Sequence, residues 1–331
     1  QLELVTAGTL LPAIVAGTGP DVNIGSTDVV NYAMRNAVYD LAQFDDFEEI
    51  ATRFSETLFI PLRYMGGVYG LPENVDFSVL FYRTDIFEEL NLQVPETWDD
   101  VRAISSVLSK NNMEFGLPSG NGSYLMLLRQ RDIPIYEADG ISCALDQVDA
   151  IRTFEEYTNL YVNYGLPLSF DFVNRFRSGE MPVGVASFGV YNSLQVAAPE
   201  IKGLWSMAKV PGSIREDGSV DHTTMAGGSA VMIIKNSEEY EAGWEFLKWW
   251  TSADVQVRYG RELESVLGPS GRYTSANSEA FALSSWPREE LTLLTVQMAE
   301  SSALEQVPGG YFLSRHLDNA FRNVVYSGKE P

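Results

Sequence analysis

Residues 66–85, GGVYGLPENVDFSVLFYRTD, constrain the fold of this chain more than any other stretch. They read as a short strand at Val68 and Tyr69, a break at Gly70, Leu71 and Pro72, a polar segment from Glu73 through Asn74 and Val75 to Asp76, and a buried strand over 77–82. Proline fixes its own φ and donates no amide, so a regular central strand does not continue through Pro72. Carboxylates and an amide placed just ahead of an apolar run sit at the mouth of a strand, where α/β folds meet their ligands. Upstream, AGTGPDV at 16–22 reads as a turn that delivers Asp21 to the start of another apolar strand.

Strand and helix patterns alternate along the rest of the chain, which predicts α/β layers. Helices are expected over 10–16, 27–35 (capped by Ser26 or Thr27), 45–54, 97–109, 146–164, 169–178, 238–251, 289–301 and 315–327. Strands are expected over 22–25, 183–187 and 230–234. Thr97 is a natural N-cap, and Asp99 and Asp100 fall in the first turn, where the helix dipole favours acids. Trp244, Phe246, Leu247, Trp249 and Trp250 have helical spacing and are read as a core-facing stripe.

The balance of charge is acidic, −22 from 45 acids and 23 bases. Such a surface repels phosphate backbones, so nucleic acid is not an expected partner. Mean hydropathy is −0.08, and no run approaches the ~18 apolar residues of a membrane span. Cys143 is the single cysteine, so an internal disulfide is ruled out, and its setting in ISCALD suggests buried packing. His222 and His316 are the only histidines. With one cysteine they make a poor metal-ligand set, and no metal or cofactor is expected.

Several segments resemble the extracellular solute-binding proteins of carbohydrate ABC importers, the family that includes maltose-binding protein. They are AGTGPDV at 16–22, the 66–85 stretch, PETWDD at 95–100, FRSGEMPVGV at 176–185, AGGSAVMII at 226–234, AGWEFLKWWTS at 242–252 and VPGGYFLSRHLDNAF at 307–321. They follow the family's order over nearly the whole chain. The resemblance implies a periplasmic-binding-protein-like α/β fold, with two lobes, a ligand cleft and hinge crossings. Crossings are expected near 76–77, 225–228 and 284–287. An N-terminal lobe would then comprise 1–76 plus 229–285, and a C-terminal lobe 77–228 plus 286–331. Gly227 and Gly228 fit a hinge, because glycine absorbs backbone change at little cost.

The resemblance also implies that a first strand and helix, a signal peptide and a lipid-anchor cysteine belong ahead of residue 1. A last helix is expected beyond Pro331. Localisation is then extracellular, as a membrane-anchored lipoprotein or a periplasmic protein, and a missing central strand would leave an open sheet edge.

Sugars are held by directional hydrogen bonds to hydroxyls and by aromatic rings against the apolar ring face. Asp76 stands where the family's first-crossing carboxylate meets hydroxyls, flanked by Glu73 and Asn74; turn capping is the plainer role for Asp76. Asp28, with Ser26, matches a loop that carries a polar ligand contact, although helix capping accounts for the same residues. Aromatic candidates are Tyr124, Phe188, Tyr191 and Tyr311. SFGVYN at 187–192 offers Phe and Tyr where relatives often carry Trp. Arg315 suits paired bonds to hydroxyls or an intra-lobe salt bridge.

The function implied is capture of a carbohydrate, an oligosaccharide foremost, and its delivery to an ABC-transporter permease by a monomer. Ligand contacts would favour a closed form over an open one. A sensory domain signalling to a membrane receptor or kinase would share this fold. A glycoside hydrolase using Glu73 and Asp76 is disfavoured, because the pair lies on one loop rather than on opposing sides of a scissile bond. No G-x-S-x-G, Walker or H-E-x-x-H motif occurs, and no enzyme is expected.

Overall fold

A computed structural model of the chain describes residues 7–137 and 139–330; the opening residues 1–6 of the sequence reading lie outside it. The chain divides into two compact units. The first gathers the chain up to Asp76 with Ala226–Ser285 and Ala303–Pro308, and the second gathers Phe77–Met225 with Trp286–Ser302 and the chain from Gly309 onward.

Two pieces expected in the C-terminal lobe therefore lie with the first unit. Residues 226–228 are tied there because Ser229 bonds to the 73–74 segment on both sides: its carbonyl accepts from the Glu73 N–H at 2.8 Å and its own N–H donates to Asn74 Oδ1 at 2.8 Å. In Ala303–Pro308, Ala303 is buried and Gln306 Nε2 donates to the Thr27 carbonyl.

The first unit is built on a three-stranded sheet in the order Val22–Ser26, Ala230–Ile233, Leu71–Pro72, with antiparallel neighbours. Val231, Met232 and Ile233 are fully buried in its middle strand, whereas Pro72 lies on a border strand, where a missing N–H is tolerated. Helix Tyr240–Trp250 lies against this sheet. Trp244 stacks on Phe44 at 4.6 Å, and its Nε1 donates to Asp46 Oδ1 at 2.7 Å. Lys248 Nζ pairs with the same carboxylate at 2.8 Å, and hydrogen bonds from Lys248 and Trp244 hold the Asp46 carboxyl below the usual aspartate range.

The apolar stripe of this helix is narrower than its sequence suggests. Gly243, Trp244 and Leu247 are buried, but Trp249 is 54% exposed. At roughly 100° per residue, Trp249 points about 140° away from Trp244. Trp250 is half-buried, with its ring edge on Tyr259.

The second unit is built on a six-stranded sheet, all of whose residues but Asp76, Ala226 and Gly227 lie in that unit. Its path runs Ser301–Ser302, Thr224–Gly227, Asp76–Arg83, Val183–Ser187, Phe115–Gly116, with Trp205–Ala208 also pairing on Asp76–Arg83. Val79, Leu80 and Phe81 have no exposed surface, as a strand covered on both faces requires. Arg83 closes the strand: Nε and Nη2 clasp the Asp85 carboxylate at 2.8 and 2.6 Å, and this holds that carboxyl below its ordinary range.

Around the sheet, helix Trp98–Lys110 begins with a capping box in which Thr97 and Asp100 each take the other's backbone N–H. Helices Val148–Val162 and Gly310–Ser327 meet through Tyr157, Tyr161 and Phe321, with ring centroids 5.2–5.4 Å apart. Buried Gln130 accepts from Trp98 Nε1 at 2.8 Å and donates to the Pro211 and Thr223 carbonyls at 3.0 Å, which joins three segments of the unit.

Local expectations shift at several points. The helix placed over 27–35 spans Val29–Met34, behind Asp28 as an N-cap without a side-chain cap bond. The final helix spans Gly310–Ser327 and so begins ahead of Tyr311 and Arg315. Helices Thr84–Glu89, Asn121–Gln130, Val190–Ala197 and Ala253–Leu267 were not expected. Cys143 is exposed rather than packed, on a short bridge to Tyr136.

Candidate functional site

Register gathers most of the polar candidates at one end of the first unit's sheet. Ser26 pairs with Ala230, and Ala230 pairs with Pro72. The two outer strands run parallel to each other and antiparallel to the middle one. Ser26, Thr27 and Asp28 therefore leave the sheet beside Glu73 and Asn74, and the middle strand enters at that same end through Gly227, Gly228 and Ser229. Convergence of loops at the carboxyl ends of strands is where α/β sheets place ligands.

Asp28 and Asp76 are exposed at this end, and Ser26 and Asn74 are half-buried. Asp28 accepts from Asn31 Nδ2, which orients the carboxylate against the helix it precedes. Asp76 opens the long strand Asp76–Arg83. Both carboxylates face water and present acceptor lone pairs suited to hydroxyls. The cavity bordered by Leu62, Pro72, Asn74, Gly227, Gly228 and Ser229 holds about 30 Å³, space for a water rather than a sugar.

Glu73 is placed otherwise than as an open ligand contact. It is 6% exposed, accepting from Ser229 Oγ at 2.8 Å and from Trp250 Nε1 at 3.2 Å. Burial raises its carboxyl above the ordinary glutamate range, and the bonds from Ser229 and Trp250 pull it part of the way back. A carboxylate so engaged is neither open to a ligand nor available as the acid or base of a glycosidase pair with Asp76. Asn74 also works inward in part, since its Oδ1 takes the Ser229 N–H.

Close approach explains one of the glycines. A Cβ on Gly228 would lie 2.1 Å from the Asn74 carbonyl oxygen, whereas one on Gly227 meets nothing within 4 Å. Only Gly228 is demanded by packing.

In the second unit the aromatic candidates separate into buried and open. Tyr124 is buried on helix Asn121–Gln130, and its hydroxyl donates to the Ala150 carbonyl at 3.0 Å. Burial pushes that hydroxyl's pKa well up. Phe188 has no exposed surface and lies 4.5 Å from Phe77 and 5.8 Å from Trp286. Tyr191 is buried against Trp205 and Trp286, at 5.2 and 4.9 Å. These three rings are core in this structure, because neighbouring rings already cover the faces a sugar would need. Tyr311 is 73% exposed and Arg315 is exposed, both on helix Gly310–Ser327.

Two further residues belong with the candidates. Ser229 stands among the loops at the sheet end, and its signal was present in AGGSA, directly after the glycine pair. Phe312 is 59% exposed, with its ring edge-on to Tyr311 at 5.9 Å. Its position beside Tyr311 was the only clue.

A two-unit α/β chain with polar strand-end loops has the architecture of the periplasmic-type binding proteins. Its fold matches solved members of that class. The sugar-binding protein MalE from Xanthomonas citri aligns with a TM-score of 0.80 at 20% identity, covering 97% of this chain and 82% of that one. The cyclic alpha-maltosyl-1,6-maltose binding protein from Arthrobacter globiformis aligns with a TM-score of 0.78 at 19% identity, covering 97% and 83%. Residues 2–257 match the family described as bacterial extracellular solute-binding protein, and the chain belongs to that family. A curated relative, the arabinooligosaccharide-binding protein of Halalkalibacterium halodurans, is 22% identical over 274 residues, which cover 78% of this chain. The match spans 60% of that relative's length. Among the described residues, no helix is long and apolar enough to cross a membrane.

Proposed function

We propose that this chain captures a carbohydrate, an oligosaccharide foremost, outside the cytoplasm and hands it unaltered to the permease of an ABC importer. The observation that carries the reading is membership of the solute-binding family over residues 2–257. It is supported by the arabinooligosaccharide- and maltose-type names of the proteins this chain resembles in sequence and fold. The chemistry of the sheet end fits that ligand class: Asp28 and Asp76 supply charged acceptors, and Ser26, Asn74 and Ser229 supply neutral polar groups. Tyr311, Phe312 and Arg315 are the open groups of the second unit suited to a sugar's ring face and hydroxyls. Gly227 and Gly228 remain the proposed hinge. The working form is a monomer, held at the cell surface by a lipid anchor or kept in the periplasm.

Thermal unfolding across a ligand panel tests this. The panel holds arabino-oligosaccharides, malto-oligosaccharides, a peptide mixture and polyamines. A carbohydrate at a hundred times its dissociation constant adds about 2.7 kcal/mol of stability. In a unit of this size that raises the melting temperature by roughly 5–10 °C. A shift with peptide or polyamine and none with any carbohydrate rejects the assignment.

A further inference from the structure

The buried carboxylate of Glu73 receives donors from two segments far along the chain, one on each oxygen. Trp250 Nε1 donates to Oε1 at 3.2 Å, and Ser229 Oγ donates to Oε2 at 2.8 Å. The rest of Ser229 is fixed as well: its N–H goes to Asn74 Oδ1 and its carbonyl takes the Glu73 N–H, both at 2.8 Å. The Glu73 carbonyl in turn accepts from the Ala276 N–H at 2.9 Å and from the Tyr273 hydroxyl at 3.2 Å. Backbone bonds thus hold the two side chains against each other.

Hydroxyl chemistry gives this contact a direction. A serine has one proton to donate and two lone pairs with which to accept. An ionised carboxylate only accepts, so the Ser229 proton is committed to Glu73. What Ser229 retains is lone-pair capacity, and it is half-buried on the border of the small cavity beside Gly227 and Gly228. Asp28 and Asp76, exposed at the same sheet end, are acceptors too.

We propose that Glu73 is a positioning residue that sets the hydrogen-bond sense of Ser229: by holding the serine proton it makes Ser229 an acceptor toward the carbohydrate, and this point of the site then requires a ligand hydroxyl that donates. An ether or ring oxygen does not satisfy it. This rests on the reading of Ser229 as ligand-facing. Glu73 itself touches no ligand.

Protonation reverses the direction. The Trp250 indole N–H can only donate, so Oε1 stays an acceptor and the added proton belongs on Oε2. Oε2 then donates to Ser229 Oγ, and the serine proton is released for another partner. Burial raises the Glu73 carboxyl pKa, so the reversal falls above the ordinary glutamate range. Among the other titratable groups on the elements that supply its partners, Tyr273 has its hydroxyl pKa pushed up by burial and stays neutral. Tyr259 lies against the rings of Trp250 and Tyr273. Arg272 is paired with Glu264, and Lys248 with Asp46. In Glu73→Gln the amide oxygen takes the Trp250 N–H and the NH₂ faces Ser229 Oγ, which imitates the protonated form at every pH.

Two experiments test this with E73Q as the comparison. The first is nuclear magnetic resonance of the ligand-free, ¹³C,¹⁵N-labelled chain. In the wild type the Ser229 hydroxyl proton is observable and slow to exchange while Glu73 is ionised. Its exchange quickens at least tenfold along one acid titration, with a midpoint above that of an ordinary glutamate. In E73Q it exchanges fast throughout. The second is calorimetry with maltose and arabinobiose and their singly fluorinated derivatives. Fluorine in place of a hydroxyl accepts weakly and donates nothing. The wild type loses about tenfold in affinity at each position that donates to Asp28, Asp76 or Ser229. In E73Q the loss at one of these positions shrinks to about threefold or less, and the others persist.

A Ser229 proton that exchanges fast while Glu73 is ionised, or that stays slow in E73Q, overturns the proposal. So does an E73Q pattern in which every fluorinated position loses as much as in the wild type. If E73Q does not fold, the wild-type hydroxyl titration decides. Failure of the capture reading is distinct: a wild type that binds neither maltose nor arabinobiose rejects the ligand half of the proposal, while the hydroxyl result needs no ligand and stands by itself.

Discussion

Asp76→Ala is expected to weaken carbohydrate binding by roughly thirtyfold while moving the melting temperature by no more than about 2 °C. A hydrogen bond between a hydroxyl and a carboxylate contributes about 2 kcal/mol, and each 1.4 kcal/mol is about a factor of ten in affinity. Asp76 is exposed at the start of strand Asp76–Arg83, and the buried part of that strand begins only at Phe77. Exposed substitutions of this kind usually cost under about 0.5 kcal/mol of stability. Asp76→Asn keeps an acceptor without the charge and is expected to fall between wild type and alanine. Asp28→Ala should behave similarly, with a smaller loss if Asn31 reorganises to donate elsewhere. Calorimetric titration of each variant, with a parallel melting curve, separates binding from folding. Equal affinity for wild type and Asp76→Ala removes Asp76 from the site.

Gly228→Ala is expected to destabilise the first unit by about 3 kcal/mol, lowering its melting temperature by roughly 6–12 °C. The new Cβ would lie 2.1 Å from the Asn74 carbonyl oxygen and 3.0 Å from the carbonyl carbon. Neither side yields easily. Asn74 Oδ1 holds the Ser229 N–H, the Glu73 N–H holds the Ser229 carbonyl, and the Val75 N–H holds the Thr274 carbonyl. Gly227→Ala is the control, since its Cβ meets open space, and it should unfold within about 2 °C of the wild type. Circular dichroism melts of the two single variants make the comparison, and equal melting temperatures would refute this account of the loop.

Local features were the ones legible in the sequence. The capping box at Thr97 and Asp100 needs only residues three apart. The buried strand after Asp76 announces itself as an unbroken apolar run, and Pro72 marks a border strand because its missing N–H excludes a central one. Glu73 was misread as open because the groups that bury it, Ser229 and Trp250, come from more than 150 residues further along the chain. A carboxylate before a strand looks the same in sequence whether its acceptors serve a ligand or the protein's own donors.

Aromatic residues carried the least information. Tyr124 has a polar tip, which suggests exposure, yet the Ala150 carbonyl satisfies its hydroxyl inside the core. Phe188 and Tyr191 follow a strand end as a sugar platform would, but Phe77, Trp205 and Trp286 reach them through tertiary contacts that no spacing rule encodes. Trp249 shows the reverse error, because counting apolar residues along a helix overstates the width of its buried stripe. The start of the last helix was missed because Gly309 and Gly310 read as a loop, although Gly309 caps the helix in a left-handed conformation.

The most direct test of the central claim is calorimetric titration of the chain with neutral oligosaccharides, followed by mass analysis of the recovered sugar. The account predicts saturable one-to-one binding of at least one oligosaccharide, recovered at its original mass. Shortened products, or heat only from peptides or polyamines, would contradict it.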